Sequence, residues 1–337
     1  MGQWSLEGAK LAEKDINATG GINHRRLHLL IDDAQTNPQS AATIFQRFVS
    51  VNKFPVVIGF NASSEVMAAA PIANGSHVIL FSTGAASPTI TGAGPFIFRN
   101  RLSGAVEASK MAELAYQRMG LRHGFILYIN NEYGQGYADA FRARFSGFGG
   151  TIAPTEAFAQ DQTDFRAQLQ RIQATSPLDF VYLASYEREG GAILRQAAEL
   201  GISTRWLASN AIEGPDFFRL AGKAADGVLL TVAKYDLLNP ATMTFNEEYR
   251  QQYHRDSEMF AAHAYDGVRI IAKLIGEVGY DGDTIRSALY RLSDYPGVSG
   301  RTSFDKNGDV IKDVAIKLAH NGHFEDVPEE ALSPAHR

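Results

Sequence analysis

Short apolar runs alternate along this chain with longer stretches in which apolar positions recur every three or four residues. The runs read as strands and the longer stretches as amphipathic helices. The predicted strands are Leu27–Ile31, Val56–Gly59, Val78–Phe81, Gly124–Ile129, Thr151–Ala157, Phe180–Ala184, Trp206–Ala208 and Val228–Val232. The predicted helices are Gln39–Val51, Val66–Asn74, Ala105–Met119, Gly136–Phe148, Asp164–Ala174, Gly190–Leu200, Ala241–His254, Phe260–Val278 and Gly282–Leu292. Alternation of this kind from end to end predicts an α/β class of doubly wound parallel sheets covered by helices on both faces.

Local signals sharpen the pattern. Near the start, Asp15-Ile16-Asn17-Ala18-Thr19-Gly20-Gly21-Ile22 precedes Leu27-His28-Leu29-Leu30-Ile31-Asp32-Asp33 and then Asn37-Pro38. The order is that of a helix ended by a Gly pair, a short strand, and a new helix opened by Pro in its first turn. Asp164 stands as an N-cap acid before a helix whose face is Phe165, Leu169 and Ile172. No repeat of fixed period occurs, and the tail from Asp326 is expected to be loosely held.

With 337 residues and 45% hydrophobic content, the chain exceeds one compact domain, and two lobes are expected. The net charge of -5, from 32 basic and 37 acidic residues without long runs, gives no footprint for nucleic acid or anionic membrane. No stretch approaches the roughly 20 apolar residues of a membrane span. Zero cysteines exclude disulfides, thiolate metal sites and a Cys nucleophile, and suit an exported protein.

Enzyme motifs on such an architecture are missing. Gly92-Ala93-Gly94-Pro95 does not continue as a dinucleotide turn, Gly222-Lys223 is followed by Ala224, and Gly297-Val298-Ser299-Gly300 lacks the spacing of a nucleophile elbow. His320 and His323 flank a turn and have no third ligand nearby in sequence. The chain is therefore read as a non-enzyme without cofactor or metal.

Ligands of open α/β sheets gather at the carboxyl ends of strands, where loops and helix N-termini present free N–H groups. Asn61-Ala62-Ser63-Ser64 and Ser82-Thr83-Gly84-Ala85-Ala86-Ser87 occupy such ends. Small side chains allow close backbone approach and the hydroxyls add orientable donors. Both turns suit a carboxylate or carbonyl, although each residue taken alone reads more readily as an ordinary cap or turn former. His263, among Ala261, Ala262 and Ala264, reads as a hydrogen-bonded core histidine.

From Leu6 to Phe324 the order of these blocks, with Phe98-Arg99, Glu132-Tyr133-Gly134-Gln135-Gly136, Asp161 to Phe165 and Arg195-Gln196-Ala197, resembles the leucine/isoleucine/valine-binding family, the type I solute-binding proteins of ABC importers. The resemblance implies two hinged lobes, lobe 1 from 1–104 and 234–312, and lobe 2 from 105–233 and 313–325, with 326–337 as the loose tail. It implies a monomeric periplasmic receptor that passes a small solute to a membrane permease. It places the solute carboxylate against Ser63 and the backbone around Gly84, within a set of Asn61, Ser63, Ser64, Ser82, Gly84, Ala85 and Ala86. Tyr133 and Tyr186 would close from the second lobe, Asn210 would face the amine end, and Phe260 would belong to an aromatic wall.

Two departures from the family follow. Its amino-acid binders have a Thr at the position of Ala86 and an acid at that of Asn210, so a buried ammonium here would need another acid, with Glu187 and Glu189 the nearest in sequence. The solute is left open between an amino acid, an aromatic or keto acid and an amide. The family also begins with a signal peptide and a strand, neither present in this chain. Met1 is therefore expected to be a truncated or misassigned start, with an open slot between the Leu27 and Val56 strands. A cytoplasmic or receptor-linked sensor of amides or amino acids is the alternative reading of the same fold.

Overall fold

The computed structural model describes residues 2–175 and 177–332, and the chain divides into two compact units. Unit 1 comprises 1–103 and 234–312, and unit 2 comprises 104–233 and 313–337.

Unit 1 opens with helices α1 (Gly2–Ala18) and α2 (Pro38–Ser50), followed by β1 (Val56–Gly59), α3 (Ser63–Ser76), β2 (Ile79–Ser82) and β3 (Ile97–Arg99). Unit 2 holds α4 (Gly104–Glu113), β4 (His123–Ile129), α5 (Glu132–Gly147), β5 (Thr151–Ile152), β6 (Glu156–Phe158), α6 (Arg166–Ala174), β7 (Phe180–Ala184), α7 (Glu187–Glu199), β8 (Arg205–Ala208), α8 (Pro215–Ala221) and β9 (Leu229–Ala233). The chain then returns to unit 1 through α9 (Pro240–Tyr253), α10 (Met259–Val278), α11 (Gly282–Arg291), β10 (Tyr295–Gly297) and β11 (Gly300–Thr302). It ends in unit 2 with β12 (Val314–His320) and β13 (His323–Asp326).

In unit 1 a parallel sheet runs β1-β2-β3, with Val56 opposite Ile79 and Leu80 opposite Ile97. One core joins α2 and α3 to it through Phe45, Val66, Leu80 and Ile97, and another joins α10 and α11 through Phe81, Phe98, Ile270 and Leu289. The face of α1 carrying Trp4, Leu11 and Ile16 packs on Ala261, Tyr265 and Val268 of α10. Gly8 makes that crossing close, since a Cβ there would lie 2.0 Å from the Ala261 carbonyl oxygen.

The predicted strand Leu27–Ile31 does not form. Among the described residues the run joins no sheet. Side chains of α1 hold it instead: Asn17 accepts from Leu27 N (2.7 Å) and donates to its carbonyl (2.8 Å), and Glu13 accepts from Leu29 N (3.0 Å). Among the described residues β1 pairs only with β2, which leaves its outer edge open. Between that edge and the run lies a cavity of about 670 Å³, lined by Leu27, Leu29, Val57, Phe48, Val268 and Ile271 among others. It lies where an open slot beside the Val56 strand is expected.

The unit 2 sheet runs β13-β12-β9-β8-β7-β4-β5, with β6 also on β4. All pairs are parallel except those of β12 with β9 and with β13. Several local expectations are corrected here. Thr151–Ala157 is two short strands, because the chain leaves β4 between Ile152 and Glu156 and rejoins it further along. The N-cap of α6 is Phe165, and Asp164 instead accepts from Arg166 N (3.2 Å) one residue earlier. The tail is held as far as Glu329, which receives Lys110 (2.8 Å) and Arg118 (3.0 Å); residues 333–337 lie outside the described residues.

Candidate solute-binding site

The carboxyl ends of β1 and β2 bring the first candidate group together in unit 1. Ser63 opens α3, and its hydroxyl accepts from Ser87 N at 3.0 Å, which ties the helix start to the end of the second turn. Ser82 donates to the Phe60 carbonyl (3.0 Å) and accepts from Ala85 N (3.2 Å). Asn61 accepts from Ser5 at 3.0 Å. Gly84 lies so near Asn61 that a Cβ would meet its Oδ1 at 2.3 Å and its Cα at 2.9 Å, so only glycine fits. Ser64 is partly buried, while Ala85 and Ala86 are buried.

Locking the turn this way leaves donors free. Among the described residues the backbone N–H groups of Thr83, Gly84 and Ala86 have no hydrogen-bond partner, although Thr83 and Ala86 are almost fully buried. Buried orphan N–H groups are rare because each forfeits its bond to water. Several within four residues, beside a serine hydroxyl that still has its proton to give, make a cradle for a carboxylate or carbonyl oxygen.

The second candidate group lies in unit 2, at the carboxyl ends of β4, β7 and β8. Tyr133, in the first turn of α5, stacks on Tyr186 at 5.3 Å and meets Tyr137 in a tilted pair at 4.6 Å. Its hydroxyl lies 2.7 Å from Ser209 Oγ and 3.0 Å from Asn210 Oδ1, and accepts from Ala211 N at 3.2 Å. Burial pushes the Tyr133 phenol far above its ordinary value, so it remains a donor. Tyr186 keeps a long contact of 3.4 Å with Asn131 Nδ2.

Asn210 is fixed from both sides, because its amide nitrogen donates to Glu107 and to the Tyr137 hydroxyl (2.8 Å). Glu107 also accepts from Tyr137 (2.5 Å) and Ala233 N (3.0 Å) and is 0% exposed. The sequence reading missed this acid, whose place in the first turn of α4 resembles an ordinary surface glutamate. The acids it named are engaged elsewhere: Glu189 accepts from Asp161 N (2.9 Å) and Glu187 from Asp216 N (3.3 Å). Arg188 is exposed and pairs with Asp216 at 3.2 Å.

Phe260, in the first turn of α10, sits over the Arg101 guanidinium at 5.7 Å in unit 1. His263 is a buried core residue as expected, and among the described residues only its Nε2 has a hydrogen-bonding partner, Lys312 Nζ at 3.4 Å, while Nδ1 has none. Burial and the positive charges of Lys312 and Arg101 hold its imidazole well below the ordinary value. Among the described residues no three His, Cys, Asp or Glu side chains form a metal-binding group, and no helix is long and apolar enough to cross a membrane.

A family model described as periplasmic binding protein matches residues 1–318. The chain belongs to that family. Among curated relatives, the leucine-, isoleucine-, valine-, threonine- and alanine-binding protein of Pseudomonas aeruginosa is 27% identical over 92% of this chain and 83% of its own. Among solved structures, a leucine binding protein of Thermotoga maritima aligns with a TM-score of 0.90 at 25% identity, covering 97% of this chain and 93% of its own. The branched-chain amino acid transporter substrate-binding protein of Streptococcus pneumoniae, solved with isoleucine, gives a TM-score of 0.87 at 25% identity over 97% and 94% of the two chains. This periplasmic binding protein is thus a solute-binding component of the ABC-transporter type, with relatives that bind amino acids.

Proposed function

We propose that the protein is an extracytoplasmic receptor, working as a monomer in the periplasm, that captures a small carboxylate or amino-acid-like solute and delivers it to the permease of an ABC importer. The single observation that carries this reading is the turn after β2, with its unpartnered N–H groups at Thr83, Gly84 and Ala86 beside the Ser63 hydroxyl. These donors carry no formal charge and suit a desolvated carboxylate without pairing it to a cation. Tyr133 and Tyr186 supply the aromatic surface of unit 2, and a closing movement of the two units over the solute is the means of delivery. The role is binding and release, with no covalent step.

Amino-acid-binding relatives support the carboxylate, whereas the Asn210 amide, already committed to Glu107, offers an ammonium no free acid. The test is mass spectrometry of small molecules released on denaturing the purified protein, followed by calorimetry with the compound found. A small carboxylic or amino acid bound near one per chain, and lost in Ser63→Ala, is the expected result. A released phosphate ester or cation, or full binding by Ser63→Ala, would overturn the reading.

A further inference from the structure

Two guanidinium groups follow one another at the end of β3, and they live in opposite circumstances. Arg99 is fully engaged: Nε meets Asp309 at 2.6 Å, Nη1 the Ser87 carbonyl at 2.7 Å and Nη2 the Thr91 hydroxyl at 2.7 Å. Arg101 is 1% exposed, yet among the described residues its guanidinium makes only a contact of Nη1 with Met259 Sδ at 2.5 Å and one with the Phe260 ring. Its Nε has no acceptor, and among the described residues no carboxylate pairs with it.

The surroundings add positive charge. Lys312 Nζ contacts Ser299 O (2.8 Å), Ser299 Oγ (3.0 Å) and His263 Nε2 (3.4 Å). The acid of this cluster, Asp266, is occupied by Val298 N (2.8 Å) and Ser299 N (2.7 Å). Among the described residues three further buried polar atoms here lack partners: Thr83 Oγ1, Asn100 Oδ1 and His263 Nδ1. They belong together in the fold, since Asn100 N donates to Ser82 O (3.2 Å), Asn100 Nδ2 to the His263 carbonyl (2.8 Å), and Thr83 lies against Gly267. All sit where β2 and β3 end beneath the first turns of α10.

A buried guanidinium without a counter-charge is strongly disfavoured, and the bidentate fork of arginine matches a carboxylate. We propose that Arg101 binds a second carboxylate of the solute, apart from the one cradled by the turn after β2, so that the natural ligand is a small dicarboxylate. Lys312 raises the local potential, and the Thr83 hydroxyl, without a partner among the described residues, adds a donor at the turn. The inference rests on the carboxylate reading of that turn.

The test is calorimetry with matched pairs that differ by one carboxylate, glutarate against butyrate and phthalate against benzoate, with isoleucine alongside. Wild type is expected to bind at least one diacid about 30-fold or more tighter than its monoacid partner. Arg101→Met should bring that diacid to within about threefold of the monoacid and leave the monoacid's affinity unchanged. Arg101→Lys should keep part of the preference, and urea midpoints of both variants confirm folding. A purely structural arginine would lower the midpoint and weaken all probes alike. Binding of butyrate, benzoate or isoleucine with no diacid preference, or a preference that survives Arg101→Met, overturns this inference and leaves the receptor reading intact. Failure of every probe to bind overturns both.

Discussion

The buried cation cluster of unit 1 makes a pH-dependent stability with a definite sign. Lys312 is a partly buried residue whose ammonium end lies among Ser299, His263 and Asp266. Burial lowers its ionisation to about 8, with Arg101 acting in the same direction and Asp266 against it. The unfolded chain keeps an ordinary lysine near 10.4. Between these values the unfolded state holds a proton that the folded state has released, so stability rises with pH. From pH 7 to pH 9.5 the gain from this one group is about 2 kcal/mol. Above that range Tyr133, Tyr235, Tyr249 and Tyr265, whose phenols burial raises, retain protons that the unfolded state loses and reverse the trend. Urea midpoints at half-unit steps from pH 7 to 9.5, for wild type and Lys312→Met, measure the slope. Wild type should rise and the variant should be flatter by about 2 kcal/mol across the range. Arg101→Met should shift the rise to higher pH, because one like charge is gone. Equal slopes in wild type and Lys312→Met would refute the buried-ammonium argument.

Three other outcomes follow from the same contacts. Asp309→Ala leaves the fully buried Arg99 without its carboxylate and should cost about 3–5 kcal/mol in urea unfolding. Asn210→Asp sets a second carboxylate against Glu107, so it should destabilise unit 2 by about 2–5 kcal/mol at pH 7. Part of that should return on acidification, since one member of such a pair takes up a proton easily. A short apolar strand tethered ahead of Gly2 should enter the slot beside β1 and slow hydrogen exchange at Val56–Gly59 by about tenfold or more, equal to about 1.4 kcal/mol; unchanged exchange would mean that the slot accepts no strand.

The amphipathic period of α2, α5, α7 and α10 and the continuous apolar runs of β4, β7 and β9 were legible because each buries a face or a whole strand. Leu27–Ile31 has the composition of a strand, but pairing is a property of neighbours, and among the described residues no strand pairs with it. Ile97–Arg99 was missed because only three residues pair. In the candidate site, Ser63 and Gly84 stood out because small residues at strand ends carry a signal, and the structure explains Gly84 by its approach to Asn61. Glu107 carried none and Arg101 little: a charged residue reads as solvated until its burial is known. For Arg101 the available hint was a second arginine two residues after Arg99, at the end of a parallel strand.

The central claim is that main-chain donors at the turn after β2 grip the solute. Amide spectra of ¹⁵N-labelled protein titrated with isoleucine, butyrate and glutarate test it at the atoms concerned. The account predicts that the Gly84 and Ala86 amide protons move downfield by the largest amounts with whichever probe binds, and that Ser63→Ala diminishes the shift. Saturable binding with those two amides unmoved would contradict it.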